Sequence, residues 1–240
     1  DHGELESWFA PLLGREGSFQ GEAPFTLEFN RHPGRETYNV STVLRANGIT
    51  IQGGLDWFKP EGSPGTVTME GAATLQGALE MNSLQLDLGN LSLMGRGHWH
   101  LKSGTGHLDI AKFRLHDNRG ALRITQTTPK GSGPGSWKIV ADMGWLNLAP
   151  AFDKKEPQNP TPPKEARRRI DWPGVDLELH AREFALANHI RGKELTARVN
   201  LDTHRISLTQ LEGTLDGTGH RMTGELRWES LLGSGPYEGT

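Results

Sequence analysis

Leu84-Gln85-Leu86-Asp87-Leu88-Gly89-Asn90-Leu91-Ser92-Leu93-Met94-Gly95-Arg96-Gly97-His98-Trp99-His100-Leu101 alternates apolar and polar residues and changes phase once, at Gly89-Asn90. Alternation at period two puts every second side chain on one face of a β-strand. The leucines hold even positions up to Leu88, whereas Leu91, Leu93, Gly95, Gly97, Trp99 and Leu101 hold odd ones. A one-residue slip turns the apolar set outward unless a tight turn or a β-bulge absorbs it.

The slip recurs. Leu86-x-Leu88-x-x-Leu91-x-Leu93 is matched by Leu108-x-Ile110-x-x-Phe113-x-Leu115. Leu177-x-Leu179-x-Ala181-x-x-Phe184-x-Leu186 adds one polar-alternating pair, and Ile206-x-Leu208-x-x-Leu211-x-Gly213-x-Leu215 is a fourth copy. Four copies in order indicate an imperfect internal repeat. A second recurrence sets glycine four residues before tryptophan, in Gly53-x-Leu55-x-Trp57, Gly95-x-Gly97-x-Trp99 and Gly224-x-Leu226-x-Trp228, and more loosely in Gly133-x-Gly135-x-Trp137. Glycine near a large ring leaves room for the ring to lie over the backbone, or permits a bend. The plainer alternative is tryptophan as core filler.

Composition agrees with strands and turns. The 31 glycines among 240 residues are about twice the ~7% share of an average protein, and 14 prolines accompany them. A net charge of -3 with interspersed signs gives no basic field for nucleic acid, which is excluded as an expected partner. The absence of cysteine excludes a disulfide scaffold, a thiol nucleophile and cysteine-type zinc sites. No run approaches the ~18 apolar residues of a membrane span. The opening Asp1-His2-Gly3-Glu4 lacks signal-peptide character, and the chain reads as starting and stopping in mid-sequence, so any anchor is expected outside it.

Turn-like segments separate the strands at Lys59-Pro60-Glu61-Gly62-Ser63-Pro64-Gly65, Asp117-Asn118-Arg119-Gly120 and Pro129-Lys130-Gly131-Ser132-Gly133-Pro134-Gly135, as expected of an antiparallel meander. Only Leu5 to Leu13 and Leu146 to Phe152 hint at helix. Residues 1–152 read as a first β-repeat segment with a short N-terminal helix. Residues 153–169, with Glu156-Pro157-Gln158-Asn159-Pro160-Thr161-Pro162-Pro163 and then Arg167-Arg168-Arg169, read as a proline-rich charged linker or long loop. Residues 170–230 form a second β-repeat segment and 231–240 a flexible tail.

Motifs for chemistry are missing. Neither the Gly-x-Ser-x-Gly elbow nor a phosphate-binding Gly-x-x-x-x-Gly-Lys-Ser/Thr loop occurs, and dispersed carboxylates give no acid-base pair. No enzymatic activity and no cofactor are expected. His98-Trp99-His100, with His107 nearby, sets two imidazoles on one strand face about 7 Å apart. Alternation assigns them to the solvent face and spacing fixes no third ligand, so no metal site is expected. The basic run Lys164, Arg167, Arg168, Arg169 reads as solvated linker, with attraction to anionic headgroups as the alternative.

Roughly 13 strands exceed what an open twisted sheet holds without curling, splitting or closing. The fold expected is all-β, a long curled and mostly antiparallel sheet forming a groove or taco-like repeat array, with one or two short helices. Two stacked sheets would also cover the apolar faces.

Leu84 to Phe152, ending in Trp145-Leu146-Asn147-Leu148-Ala149-Pro150, resembles the AsmA-like family of bacterial envelope proteins. So does Asp171-Trp172-Pro173-Gly174-Val175-Asp176-Leu177-Glu178-Leu179, with the Phe184 repeat and Gly213-Thr214-Leu215 to Trp228. The resemblance spans about two-thirds of the chain on degenerate motifs. It implies a segment of a periplasmic bridge-like protein, held in the inner membrane by a segment absent here, whose apolar β groove binds phospholipid acyl chains and supports lipid transport between inner and outer membranes. The partners implied are phospholipid and, through parts missing from this chain, the two membranes or their proteins. About 13 strands at ~4.8 Å spacing give only about 60 Å of ladder, so a longer protein is implied.

Carried onto this sequence, the lipid-binding candidates are the apolar members of the four repeats. They are Leu86, Leu88, Leu91 and Leu93; Leu108, Ile110, Phe113 and Leu115; Leu177, Leu179, Phe184 and Leu186; and Ile206, Leu208, Leu211 and Leu215. Each is equally suited to ordinary core packing. The rival function is a structural or carbohydrate-binding β-repeat module of the cell envelope, with Trp57 or Trp137 as sugar platforms.

Overall fold

A computed structural model of the chain describes residues 18–31, 34, 36–52, 58–127, 136–152, 174–187, 189–201, 205–216, 220–229 and 237–239. The chain divides into two compact units, Asp1–Ile124 and Thr125–Thr240. Both are built of strands, as the alternation requires.

In the first unit β1 (Ser18–Gly21) is followed by β2 (Phe25–Arg31), β3 (Thr37–Arg45), a 3-10 turn (Ala46–Gly48), β4 (Ile49–Gln52) and β5 (Phe58–Lys59). Then come β6 (Thr66–Thr74), β7 (Ala78–Asp87), β8 (Leu91–His100), β9 (Thr105–Leu115) and β10 (Asn118–Thr127), within which the division between the units falls. Strands β2, β3, β6, β7, β8 and β9 pair in that order, all antiparallel, and β10 follows β9. β1, β4 and β5 make a separate small antiparallel sheet.

The second unit holds β11 (Ser136–Asn147), a helical turn α1 (Ala149–Phe152), β12 (Val175–Ala187), β13 (Ile190–Leu201), β14 (Arg205–Leu215), β15 (Arg221–Glu229) and β16 (Tyr237–Gly239). They pair in sequence order. β11 and β12 run parallel, and every later pair is antiparallel. A parallel pair needs a crossover connection, which here falls between Asn147, the end of β11, and Val175, the start of β12. The expected linker, 153–169, lies outside the described residues, and both strands flanking it belong to this unit. Three residues of the expected tail form β16 on the edge of β15.

The expected meander is broken a second time in the first unit, where β3 pairs with β6 and Lys59 to Gly65 joins β5 of the small sheet to β6 of the large one instead of closing a hairpin; a further correction is local. Asn118, Arg119 and Gly120 are strand, and the β9–β10 turn closes on His116 and Asp117 alone. His116 takes a left-handed φ of 54° while its N–H donates to the Asn90 carbonyl at 2.8 Å. The expected N-terminal helix and the Pro129–Gly135 turn lie outside the described residues, and the helix expected from Leu146 begins only at Ala149 because β11 runs through Asn147.

The phase slips are absorbed by different devices. Between β7 and β8 a hairpin does it: Gly89 has φ +78°, and the Leu88 N–H donates to the Leu91 carbonyl at 2.8 Å. In β9 the pairing with β8 passes from Met94↔Lys112 to Gly95↔Ile110, leaving Ala111 as a bulge. In β14 it passes from Arg198↔Gln210 to Val199↔Leu208, so Thr209 is the extra residue. β12 and β13 slip together with no change of register, as Ala181↔Leu195 gives way to Phe184↔Gly192. There Glu194 has φ 55°, which reverses the alternation of β13 and exposes Lys193 and Glu194 in succession.

Candidate functional site

Directly paired residues share a sheet face, so the registers map each face residue by residue. In the first unit one row runs Phe25↔Leu44↔Val67↔Leu86↔Leu93↔Phe113, and the next Leu27↔Thr42↔Met69↔Leu84↔Gly95↔Ile110. Beyond the bulges comes Phe29↔Val40↔Gly71↔Met81↔Gly97↔Leu108, and then Arg31↔Tyr38↔Ala73↔Leu79↔Trp99↔Gly106. Leu91 pairs with Leu115 on the same face. One face of six adjacent strands is therefore almost wholly apolar.

Burial along that face is graded. Ile110 on β9 (2% exposed), Leu93 on β8 (5%) and Leu86 on β7 (7%) are buried, whereas Phe25 (58%), Leu27 (44%) and Phe29 (58%) stand open on β2. Leu79, Met81, Leu84, Leu108, Phe113 and Leu115 are half-buried. Leu88 follows β7 and is buried beside Gly65, where its Cδ2 leaves only 2.9 Å to the place of a Cβ.

The second unit repeats the arrangement. Its rows are Trp137↔Val175↔Leu201↔Ile206, Ile139↔Leu177↔Val199↔Leu208, Ala141↔Leu179↔Ala197↔Leu211 and Leu146↔Phe184↔Gly192↔Leu215. Phe184 is fully buried, and Leu177, Leu179, Leu186, Ile206, Leu208, Leu211 and Leu215 are half-buried. Fifteen of the sixteen candidates lie in strands and Leu88 in a turn, seven of the strand residues in the first unit and eight in the second.

Sequence reasoning missed the apolar residues of β2, β3 and β6, which carry the alternation without the four-part signature. It also assigned the wrong glycine to the tryptophan. The ring of Trp99 lies over Gly106, its partner on β9, and a Cβ there would come 2.6 Å from the indole. Gly95 and Gly97 instead approach the β9 backbone, at the carbonyls of Asp109 and His107. The signal was the cross-strand pair rather than the spacing within one strand.

The opposite face is polar. Arg123 pairs with Asp109 (3.0 Å) and Lys138 with Glu178 (3.1 Å). Arg198 reaches Asp176 (3.0 Å) and Glu178 (3.7 Å), and its hydrogen bond to Asp176 raises its pKa above the ordinary value. Glu80, His98 and His107 form one row across β7, β8 and β9. His98 Nδ1 lies 3.0 Å from Glu80 Oε2 and His98 Nε2 lies 2.8 Å from His100 Nε2. The rings of His98 and His107 stack with centroids 6.0 Å apart.

Among the described residues no three His, Asp or Glu side chains converge as metal ligands, no helix is long and apolar enough to cross a membrane, and no tryptophan is among the exposed large apolar side chains. Trp57 lies outside the described residues, and Trp137 is half-buried in the apolar row of β11. No family model, no curated protein and no solved structure matches the chain.

Proposed function

We propose that the apolar sheet face binds the acyl chains of phospholipid, and that the chain is a non-catalytic segment of a bridge-like periplasmic protein of the AsmA-like type, supporting lipid transport between inner and outer membranes. The observation that carries this is the run of apolar rows across six strands to an edge where Phe25, Leu27 and Phe29 remain 58%, 44% and 58% exposed. A closed core would bury those side chains, and an exposed apolar patch of this kind marks a binding surface. Bulges support it further, because a bulge bends its strand, and in the first unit the extra residues of β7 and β9 stand at neighbouring positions on either side of β8. That arrangement favours a sheet curled about its apolar side. Headgroups would stay in water, so the surface would select for chains and not for head chemistry.

The test is organic extraction of tag-free protein from membranes followed by lipid mass spectrometry, with photo-crosslinking by a diazirine-bearing acyl chain. Stoichiometric phospholipid and adducts on Leu27, Phe29 or Phe113 are expected. A lipid-free protein whose adducts fall on the polar face overturns the proposal.

A further inference from the structure

We propose that His98 and His100 bind a divalent transition-metal ion of the imidazole-seeking class on the polar face of β8, with Glu80 as the residue that orients His98. Alternation along β8 sets the two imidazoles side by side, and their Nε2 atoms lie 2.8 Å apart. Two imidazole nitrogens about 2.0–2.1 Å from one ion, at an angle of about 90–110°, stand about 2.9–3.4 Å apart. The observed pair is thus within a few tenths of an ångström of chelating spacing before any ion enters.

Glu80 supplies the second, independent feature. A metal-bound histidine almost always gives its other ring nitrogen to a carboxylate or carbonyl, which fixes the tautomer and makes the ligand more basic. His98 does this through Nδ1, 3.0 Å from Glu80 Oε2, leaving Nε2 as the lone-pair nitrogen that meets His100. Glu80 comes from β7, directly across the ladder from His98, so the sheet itself builds the arrangement. His107 stands opposite His98 on β9 and can become a third ligand only by turning its side chain. The remaining positions face solvent and take water. Imidazole pairs of this kind favour Zn²⁺, Ni²⁺ and Cu²⁺ over Mg²⁺ or Ca²⁺.

The proposal is tested by calorimetric titration of tag-free protein with zinc chloride, nickel chloride and magnesium chloride at pH 7.5 in a non-chelating buffer. One zinc or nickel ion per chain with micromolar affinity is expected, and no magnesium. His100→Ala should abolish the binding, and Glu80→Gln should weaken it about tenfold or more. Circular dichroism spectra matching wild type are expected of both surface variants. Absence of saturable zinc binding overturns the proposal, and so does unchanged affinity in His100→Ala, which would place the ion among the other histidines.

Discussion

The ring of Phe184 lies against the backbone of Gly192, its partner across the ladder between β12 and β13. A Cβ at position 192 would overlap both the Phe184 ring and the Thr214 carbonyl. Phe184 is fully buried, and Gly213 on β14 also approaches its ring, with 3.4 Å left for a Cβ. Gly192→Ala should therefore destabilise the protein by about 1–3 kcal/mol, the usual cost of overpacking, and Phe184→Ala by about 3–5 kcal/mol. In urea titrations Gly192→Ala with Phe184→Leu should recover only part of the loss, since the Thr214 carbonyl remains in the way. A Gly192→Ala protein as stable as wild type would refute this packing.

This pair shows what was legible in the sequence and what was not. The all-β fold and most of its strands follow from period-two alternation, which needs no knowledge of partners. The phase slips were also legible as slips, but whether each is a turn, a bulge or a left-handed residue depends on the neighbouring strand. Ala111 is a bulge only because Gly95 follows Met94 without an extra residue. Likewise nothing local marks Gly106 or Gly192 as the floor under an aromatic ring, because the ring comes from another strand. The parallel β11–β12 pair was hidden for a related reason: alternation within a strand is the same whichever way its neighbour runs. The Glu80–His98–His100 contacts depended on register between β7 and β8, which spacing along β8 alone does not fix.

Lys59 is 1% exposed, and its ammonium group donates to the Ile49 carbonyl at 3.0 Å and to Pro60 at 3.4 Å. Burial lowers its pKa below the ordinary lysine value. Between the lowered folded value and about 10.4 the unfolded chain holds more protons than the folded one, so stability rises with pH across that window. Below the folded pKa the cost of the buried charge is present in full. Lys59→Met should be more stable than wild type at pH 7, and that advantage should shrink as pH approaches about 10. Denaturant titrations at several pH values measure it; a difference that does not change with pH would contradict the assignment.

His116 forms half of a two-residue turn with φ at 54°, a conformation that costs an L-residue roughly 1–2 kcal/mol. Glycine removes that cost but adds about 0.5–1 kcal/mol of unfolded-chain entropy. His116→Gly should therefore stabilise the protein by up to about 1.5 kcal/mol, seen as a higher Tm, because the bond from the backbone N–H to Asn90 survives the change. A lower Tm would show that the imidazole itself holds the turn.

Phe29 and Asn30 are adjacent, exposed and on opposite faces of β2, so they separate the effect of a charge on the apolar face from that of a charge on the strand. Phe29 continues the row Val40, Gly71, Met81, Gly97 and Leu108, while Asn30 pairs with Asn39 on the polar side. Exposed substitutions away from special features change stability by about 0.5 kcal/mol or less, so Phe29→Asp and Asn30→Asp should both fold and melt close to wild type. A carboxylate among acyl chains is costly by a few kcal/mol, so Phe29→Asp should lower the phospholipid recovered per chain and remove crosslinks near β2. Asn30→Asp should leave both unchanged. If the two variants carry equal lipid, chains do not lie along this edge of the sheet, and the acyl surface must be sought elsewhere.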